Sequence, residues 1–442
     1  MEEFIEKNKE KLIKITQEVL RIKSVGDKPE DGAPFGVGVK EVLLKALDIS
    51  KELGFNIVNY DNRVGFAEYG QGDEAISILG HLDVVPEGNN WIYPPYGAEI
   101  HDGKIYARGA MDDKGPTMAA LFGLYALKET GLNISKRVRV VFGTNEETGW
   151  KCMSYYREKV GEPIIGFAPD AQFPVINREK GILNITLRKD FSSPNHFVEI
   201  SGGERPNMVP DYAEAIFNGP VSLRSENPDV SISGNKIAAK GTSAHGSLPE
   251  KGKNAIVILC ETLENFEFTG EVKEIVDFVV QKINRDFYGQ ALGVDKIDEY
   301  SGHLTINLGA IKVTKQYGEL TFNIRYPVTD SHERIVDVFR MQGKAYHFNV
   351  SSFKNQAPLF VSEEEPLVQK LLKVYEDFTG EKGYTLSIGG GTYARAMDKG
   401  VAFGAVFPGM EDIAHQSNEF IGIDHIVKLA RIYGRAIYEL AR

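Results

Sequence analysis

Five short segments of this chain carry imidazole or carboxylate side chains that could bind metal ions. In chain order they are His81-Leu82-Asp83, Asp112-Asp113-Lys114-Gly115, Glu146-Glu147, Asp170 and His415. Imidazole nitrogens and carboxylate oxygens suit divalent ions of hard to borderline character. The set is large enough for two adjacent ions, which can activate a water molecule between them for attack on a carbonyl group. These residues therefore predict the site of a hydrolase.

Each segment also has an ordinary structural explanation when it is taken alone. His81 and Asp83 could lie in a surface loop, Asp112 could begin a helix, and Asp170 could belong to a turn because it follows a proline. The joint pattern favours a metal site, because the segments stand in order near the ends of predicted strands. Within it, a single carboxylate such as that of Asp112 could bridge two cations.

Short apolar runs at 76–80, 138–143 and 164–168 predict strands that lead into His81, Glu146 and Asp170. They alternate with helical patterns over 3–24, 36–53 and 115–129. This alternation predicts an α/β domain with a mostly parallel sheet. Functional residues of such sheets gather at the carboxyl ends of the strands, where these ligands fall.

The pattern changes after residue 178, where alternating strands and two helices predict an inserted α+β domain. The predicted strands cover 182–187, 237–242, 304–312 and 319–326, and the predicted helices lie near 252–266 and 332–342. From 357 onwards a helix (366–378), a strand (401–407), the His415 loop and a helix (425–441) complete the first domain. The predicted division is 1–178 and 357–442 for the first domain, with 179–356 as the insertion.

The composition excludes several classes of protein. The net charge of −11 and the lack of basic clusters argue against nucleic acid or a membrane surface as a partner. Two isolated cysteines, Cys152 and Cys260, form neither a disulfide framework nor a thiolate metal site. Neither a signal peptide nor an apolar stretch long enough to span a bilayer is present in the sequence. We therefore expect a cytoplasmic protein.

The longer motifs resemble those of the M20 family of dinuclear metallopeptidases, closest to the peptidase V-like, Xaa-His (carnosinase-type) dipeptidases of bacteria. The most specific motifs are Gly80–Pro86, Tyr106–Pro116 and Gly143–Thr148. The resemblance covers nearly the whole chain. It implies a zinc-exopeptidase-like α/β catalytic domain with an inserted α+β lid domain.

The resemblance also implies which residues would bind the two divalent ions, zinc or manganese with cobalt as a further candidate. Asp112 would bridge both ions. His81 and Asp170 would complete one site, and Glu147 and His415 would complete the other. Geometry and metal supply, rather than ligand type, select the native metal in such mixed sites.

Further roles follow from the same resemblance. Glu146 would be the general base, and Asp83 would support His81. The peptide bond after Asp112 would be cis.

The predicted lid carries segments that resemble substrate-contacting parts of the family. His245, within Gly241–Gly246, would stabilise the oxyanion, and Asn207 and Arg325 would hold the substrate. Arg325 suits a C-terminal carboxylate because its guanidinium can bind bidentately, although a strand-surface charge is an alternative explanation. Gly391 and Thr392 would approach the substrate through backbone groups.

The resemblance implies a metal-dependent dipeptidase whose partner is a small peptide substrate. The alternatives are an N-acyl-amino-acid deacylase of the same family and a non-catalytic peptide-binding protein on this scaffold. The insertion, at roughly 180 residues, is longer than one small lid needs. In peptidase V-like proteins the longer lid takes the place of a partner subunit, so we expect a monomer.

Overall fold

The computed structural model of the chain describes residues 1–222, 224–266 and 270–442. The chain forms two compact units. Unit 1 comprises Met1–Asn177, Val361–Leu386 and Gly391–Arg442, and unit 2 comprises Arg178–Phe360 and Ser387–Gly390. The sequence had placed the corresponding boundaries at 178/179 and 356/357, without the short return of 387–390 to unit 2.

Helices and strands alternate along unit 1, whereas strands predominate in unit 2. The helices are α1 Glu2–Lys7, α2 Lys9–Leu20, α3 Val37–Glu52, α4 Lys114–Glu129, α5 Lys151–Val160, α6 Ala255–Leu263, α7 Glu271–Phe278, α8 His332–Lys344, α9 Pro366–Thr379 and α10 Ile423–Ala441. The strands are β1 Asn56–Tyr60, β2 Val64–Tyr69, β3 Ala75–His81, β4 Glu99–His101, β5 Lys104–Tyr106, β6 Arg137–Gly143, β7 Ile165–Ala168, β8 Ala171–Gln172, β9 Val175–Glu179, β10 Gly181–Asp190, β11 Val198–Gly202, β12 Tyr212–Phe217, β13 Val230–Ser233, β14 Lys236–Lys240, β15 Ile297–Asp298, β16 Gly302–His303, β17 Thr305–Val313, β18 Tyr317–Tyr326, β19 Asn349–Gln356, β20 Leu359–Phe360, β21 Thr385–Ile388, β22 Lys399–Ala402, β23 Ala405–Val406 and β24 Phe420–Gly422.

The main sheet of unit 1 has the strand order β1-β2-β6-β3-β7-β22-β9. Its centre is parallel, since β6, β3, β7 and β22 run in the same direction. The strands β1 and β2 pair antiparallel at one side. Helices α4 and α10 pack against each other and against β3. The α/β fold with a mostly parallel sheet, predicted from the alternation of elements, is confirmed.

Two elements of unit 1 differ from the patterns that predicted them. The single helix expected over 3–24 is two helices, because the Asn8 side chain donates a hydrogen bond to the Phe4 carbonyl (2.8 Å) and competes with the helical backbone there. The single strand expected over 401–407 is divided into β22 and β23. Helical and strand periodicity does not reveal such local interruptions.

Unit 2 is built on one antiparallel sheet of eight strands, in the order β13-β14-β12-β11-β17-β18-β10-β19. Helices α6, α7 and α8 contribute buried apolar side chains to one core with the inner face of this sheet. Alternating burial along β10 shows the half-buried strand that the sequence pattern predicted. The α+β character of the insertion is therefore confirmed.

No helix within 1–222, 224–266 and 270–442 is long and apolar enough to cross a membrane.

Candidate metal centre

Three parallel strands of unit 1 bring candidate ligands to one edge of the sheet. Strand β3 ends at His81, which lies opposite Gly143, the last residue of the parallel strand β6. Two residues separate Glu146 from that strand end, and one residue separates Asp170 from the end of β7. Because the strands are parallel, their carboxyl ends meet, and the three side chains meet with them.

Two small sheets bring the loops of Asp112 and His415 to the same place. Strand β8, directly after Asp170, pairs with β23 through Ala171 and Ala405. Strand β24 pairs with β5, and Asp112 lies in the loop that follows β5. His415 lies between β23 and β24. These short ladders return the last segment of the chain to the strand ends.

The carboxylate of Asp112 lies between two separate groups of candidate ligands. Its Oδ1 lies 3.0 Å from Nε2 of His81, and that nitrogen lies 3.5 Å from Oδ2 of Asp170. Its Oδ2 lies 2.9 Å from Nε2 of His415, and that nitrogen lies 3.1 Å from Oε1 of Glu147. All five predicted ligands are therefore brought together, with one pair on each oxygen of Asp112.

The orientation of the His81 ring, with Nε2 facing two carboxylates, fits a cation at this nitrogen. Its Nδ1 must donate to the Asp83 backbone carbonyl at 2.9 Å, because a carbonyl only accepts. In the neutral ring Nε2 then carries a lone pair, which faces the oxygens of Asp112 and Asp170. Among the described residues, none forms a hydrogen bond with this buried Nε2. Burial alone would lower the pKa of His81, but the facing carboxylates of Asp112 and Asp170 raise it well above its ordinary value. The arrangement therefore accommodates a proton on Nε2 or a metal ion in its place.

The charges of the site point in the same direction. Burial and the nearby Asp112 carboxylate raise the pKa of Asp170 to about 7. Burial raises the pKa of Glu146 well above its ordinary value. Hydrogen bonds that His415 donates to the carboxylates of Asp112 and Glu147 raise its pKa to about 11. The raised pKa values mean that protons are retained where several carboxylates lie close together. A divalent cation bound there would displace these protons.

Asp83 organises the turn that carries the adjacent glutamates. Its Oδ1 accepts a hydrogen bond from the backbone N–H of Glu146 (3.0 Å), and its Oδ2 accepts one from that of Glu147 (3.1 Å). Oδ1 also lies 3.7 Å from Nδ1 of His81. The single buried carboxylate therefore links the His81 segment to the Glu146-Glu147 turn.

The Asp112–Asp113 peptide bond is cis, as the resemblance implied. The sequence had given no role to the second residue of that bond. The buried Asp113 carboxylate accepts hydrogen bonds from the His81 N–H (3.1 Å) and the Thr117 hydroxyl (2.9 Å). Arg108 and Glu419 also had no predicted role, although each is a charged residue four positions from a predicted ligand. That spacing was the feature of the sequence that could have indicated a role for Arg108 and Glu419 beside the ligands.

In unit 2, Asn207 and His245 lie on adjacent loops. The Gly246 N–H donates to the Asn207 carbonyl at 2.7 Å, and Met208 forms an isolated antiparallel bridge with His245. Nδ1 of His245 lies 2.6 Å from the Ser247 hydroxyl oxygen, with which it shares a hydrogen bond. Two of the predicted substrate-contacting residues thus belong to one local structure.

Arg325 is 4 % exposed and therefore is not a strand-surface charge. Its Nε donates to Oδ1 of Asn323 (2.9 Å), and its Nη1 donates to the Gly389 carbonyl (2.8 Å). The Asn323 amide in turn donates to Oδ1 of Asn184 (2.7 Å). These bonds hold the guanidinium in a defined orientation within unit 2.

Gly391 and Thr392 lie in unit 1 at the start of a short 3-10 helix, Tyr393–Ala396. The Thr392 hydroxyl accepts a hydrogen bond from the Ala394 N–H (3.1 Å), which caps this helix. The side chain of Thr392 therefore has a structural task, while its backbone remains the group predicted to meet substrate.

Comparison with known proteins places these features in a family context. Residues 78–439 match the family described as "Peptidase family M20/M25/M40". The chain is 43 % identical over 458 residues to "Putative dipeptidase YtjP" of Bacillus subtilis (strain 168), covering 99 % of this chain and 98 % of the relative. It is 34 % identical over 462 residues to "Beta-Ala-Xaa dipeptidase" of Lactobacillus delbrueckii subsp. lactis, covering 100 % and 98 %. The fold is similar to that of human carnosine dipeptidase 1, with a TM-score of 0.61, 13 % identity and coverage of 100 % and 98 %.

Proposed function

We propose a dipeptidase activity for this chain, which belongs to peptidase family M20/M25/M40 and is a metallopeptidase. The names of the Bacillus and Lactobacillus relatives, which align over almost the whole chain, support a dipeptide substrate. One observation in particular supports hydrolysis by two metal ions. The two oxygens of Asp112 face two separate ligand pairs, as expected of a carboxylate that bridges two cations.

Two divalent ions, zinc or manganese with cobalt as a further candidate, would be held by five residues of unit 1. These are His81, Asp112, Glu147, Asp170 and His415. Bound there, the ions would lower the pKa of a water molecule and polarise the peptide carbonyl. Mixed imidazole and carboxylate ligands are compatible with each of these metals.

Glu146 is assigned as the general base. It stands next to a ligand, and its backbone N–H donates to Asp83. Burial raises its pKa well above its ordinary value, which is the direction that makes a carboxylate a better base. It would accept a proton from the attacking water and then donate that proton to the leaving amine. The reaction is thus hydrolysis of a peptide bond with one residue as base and then as acid.

The residues assigned to substrate binding are those that the resemblance implied. His245 would donate to the developing oxyanion, and Asn207 on the adjacent loop would contact the substrate. Arg325, whose orientation is set by Asn323, would bind the C-terminal carboxylate of the dipeptide. Backbone groups of Gly391 and Thr392 would complete the contacts.

The test is hydrolysis of a panel by chelator-stripped protein with zinc, manganese or cobalt added back. The panel contains Leu-Leu, Ala-His, β-Ala-His, a tripeptide and N-acetyl-methionine. We expect metal-dependent cleavage of dipeptides that is lost in Glu146→Gln, while that variant still binds metal because Glu146 is not a ligand.

Other outcomes would overturn the proposal in different ways. Cleavage of N-acetyl-methionine alone would identify a deacylase, and rapid cleavage of the tripeptide would contradict a strict dipeptidase. Metal binding without hydrolysis of any member would favour a peptide-binding protein.

A further inference from the structure

A buried ion pair joins the loop of Asp112 to the loop of His415. The side chains of Arg108 and Glu419 are 2 % and 0 % exposed, and Nη1 of the first lies 2.6 Å from Oε2 of the second. Arg108 follows β5 and Glu419 precedes β24, and these two strands pair with each other. The ion pair therefore lies where both loops leave a common ladder.

The carboxylate of Glu419 accepts hydrogen bonds at both oxygens from the Asp112 loop. Oε2 accepts from the Gly109 N–H (3.0 Å) in addition to Arg108. Oε1 accepts from the N–H groups of Met111 (2.7 Å) and Asp112 itself (3.1 Å). A carboxylate can accept at both oxygens, whereas the NH₂ of a glutamine amide at this position would face N–H donors.

The guanidinium of Arg108 contacts the loop of His415 and a third loop. Nη1 donates to the Gln416 carbonyl (3.1 Å), and Nη2 lies within hydrogen-bonding distance of the carbonyls of His415 (3.4 Å) and Glu87 (3.3 Å). The His415 side chain is 55 % exposed, so packing does little to place it. A rigid fork of donors can hold several carbonyls at once, which a lysine ammonium on a flexible chain does less well.

We propose that Arg108 and Glu419 are a positioning pair that holds Asp112 and His415 at the separation required by two cations. The inference rests on the metal centre of the proposed function. The pair touches neither substrate nor a reacting atom; it acts by placing the backbone of the bridging ligand and of one terminal ligand. Loss of such supporting hydrogen bonds typically lowers metal affinity about 10- to 100-fold.

The experiment compares metal binding by the wild type, Glu419→Gln and Arg108→Lys. Manganese(II) is titrated calorimetrically into chelator-stripped protein, and turnover of the cleaved dipeptide is then measured across metal concentrations. We expect the dissociation constant of the more weakly bound ion to rise about 10- to 100-fold in Glu419→Gln, with a smaller rise in Arg108→Lys. We expect kcat to recover at saturating metal in both.

Glu68→Gln is the matched control. Oε2 of Glu68 lies 2.6 Å from Nε of Arg139 in a partly buried ion pair. These residues face each other on β2 and β6, away from the carboxyl end of β6. This variant loses an ion pair without touching a ligand loop. We expect its metal affinity to equal that of the wild type, although its melting temperature falls.

The outcomes separate this inference from the proposed function. Unchanged dissociation constants in both variants would overturn the positioning role while leaving the dipeptidase intact. If Glu419→Gln does not fold, the metal affinity of Arg108→Lys alone tests the positioning role. A wild type that binds metal but cleaves no dipeptide would overturn the function alone, and a wild type that binds no divalent ion would overturn both.

Discussion

At the residue scale, the chemistry of the site depends on which atoms of Asp112 face which ligands. This carboxylate lies between the two groups of candidate ligands. His81 contacts one of its oxygens, and His415 contacts the other. The two histidines hold the pKa of Asp112 below its ordinary value, although burial alone would raise it. A carboxylate that stays ionised inside a crowded acidic cluster is suited to bind cations over a wide pH range.

The first prediction concerns the pH dependence of metal-induced stability. In the metal-free protein the pKa of Asp170 is raised to about 7. The stability that its proton provides is therefore complete below about pH 4 and declines as the pH rises to about 7. The pKa of His415 is raised to about 11. Its contribution to folding stability is therefore complete below about pH 6.5 and declines as the pH rises above that value. Metal replaces these protons. We expect the increase in Tm on adding metal to be larger at pH 8 than at pH 5.5.

Scanning calorimetry at a fixed free metal concentration measures this difference directly. Groups remote from the site contribute equally with and without metal, so they cancel from the increase in Tm. An increase that is equal at the two pH values, or larger at pH 5.5, would contradict the prediction.

The second prediction concerns Asp83. In Asp83→Asn one oxygen is replaced by an NH₂ that faces a backbone N–H of the Glu146-Glu147 turn. We expect kcat/KM for the cleaved dipeptide to fall about 10- to 100-fold, because both the base and a ligand are displaced. Steady-state kinetics at saturating metal tests this. The exposed Asp48→Asn on α3 is the control, and an equal loss in both variants would argue against a role for the turn.

At the element scale, close approach between β3 and α4 sets the position of His81. Gly80 precedes the histidine, and Thr117 of α4 lies directly against it. The Thr117 hydroxyl and the His81 N–H both donate to the Asp113 carboxylate. The strand end, the helix start and the loop between Asp112 and α4 are thus held by one small network.

The third prediction follows from this contact. A Cβ at Gly80 would lie 1.9 Å from the Thr117 hydroxyl oxygen and 2.9 Å from Oδ2 of Asp113. We expect Gly80→Ala to reduce the free energy of unfolding by about 1–3 kcal/mol or more, since overpacking forces neighbouring groups to move. It should also weaken metal binding, because His81 moves with the strand end.

Urea unfolding of the metal-free protein measures the loss. Gly26→Ala in the same unit is the control, because its nearest neighbours would be at ordinary contact distances of 3.7 and 3.8 Å. Its free energy of unfolding should change by no more than about 0.5 kcal/mol. A loss in Gly80→Ala no greater than in this control would show that the β3–α4 contact is not close in solution.

At the scale of the whole molecule, the chain builds two units, each of which has buried apolar clusters of its own. All five candidate metal ligands and Glu146 belong to unit 1, whereas Asn207, His245 and Arg325 belong to unit 2. The proposed metal chemistry therefore depends on residues of unit 1 alone. The insertion is a single eight-stranded sheet with its helices.

The fourth prediction is that the protein is a monomer. The sequence resemblance implied that the long insertion takes the place of a partner subunit. We expect light scattering after size-exclusion chromatography to give the mass of one chain across a wide concentration range, with metal present or absent. A mass of two chains at low concentration would contradict this and would open the possibility that His245 serves the partner's site.

Much of the site was predictable from the sequence because its signals are local. Apolar runs that end in His81, in the Glu146 turn and in Asp170 are properties of consecutive residues, and parallel strands in α/β proteins place their ends together. The ligand types, together with their order near predicted strand ends, predicted a divalent site. The two-helix start and the divided strand 401–407 were missed because one side chain or one local turn interrupts a periodic pattern without changing its apolar positions.

The tertiary structure decided what depends on residues far apart in the chain. The pairing of β24 with β5 brings Glu419 to Arg108, and no local pattern encodes that pairing. The order of His81 and His415 on the two oxygens of Asp112 likewise depends on how three loops pack. The sequence by itself determined which side chains could bind metal and on which strand ends they lie. Only the folded chain decided which atoms meet, because distances between side chains depend on the packing of the elements that carry them.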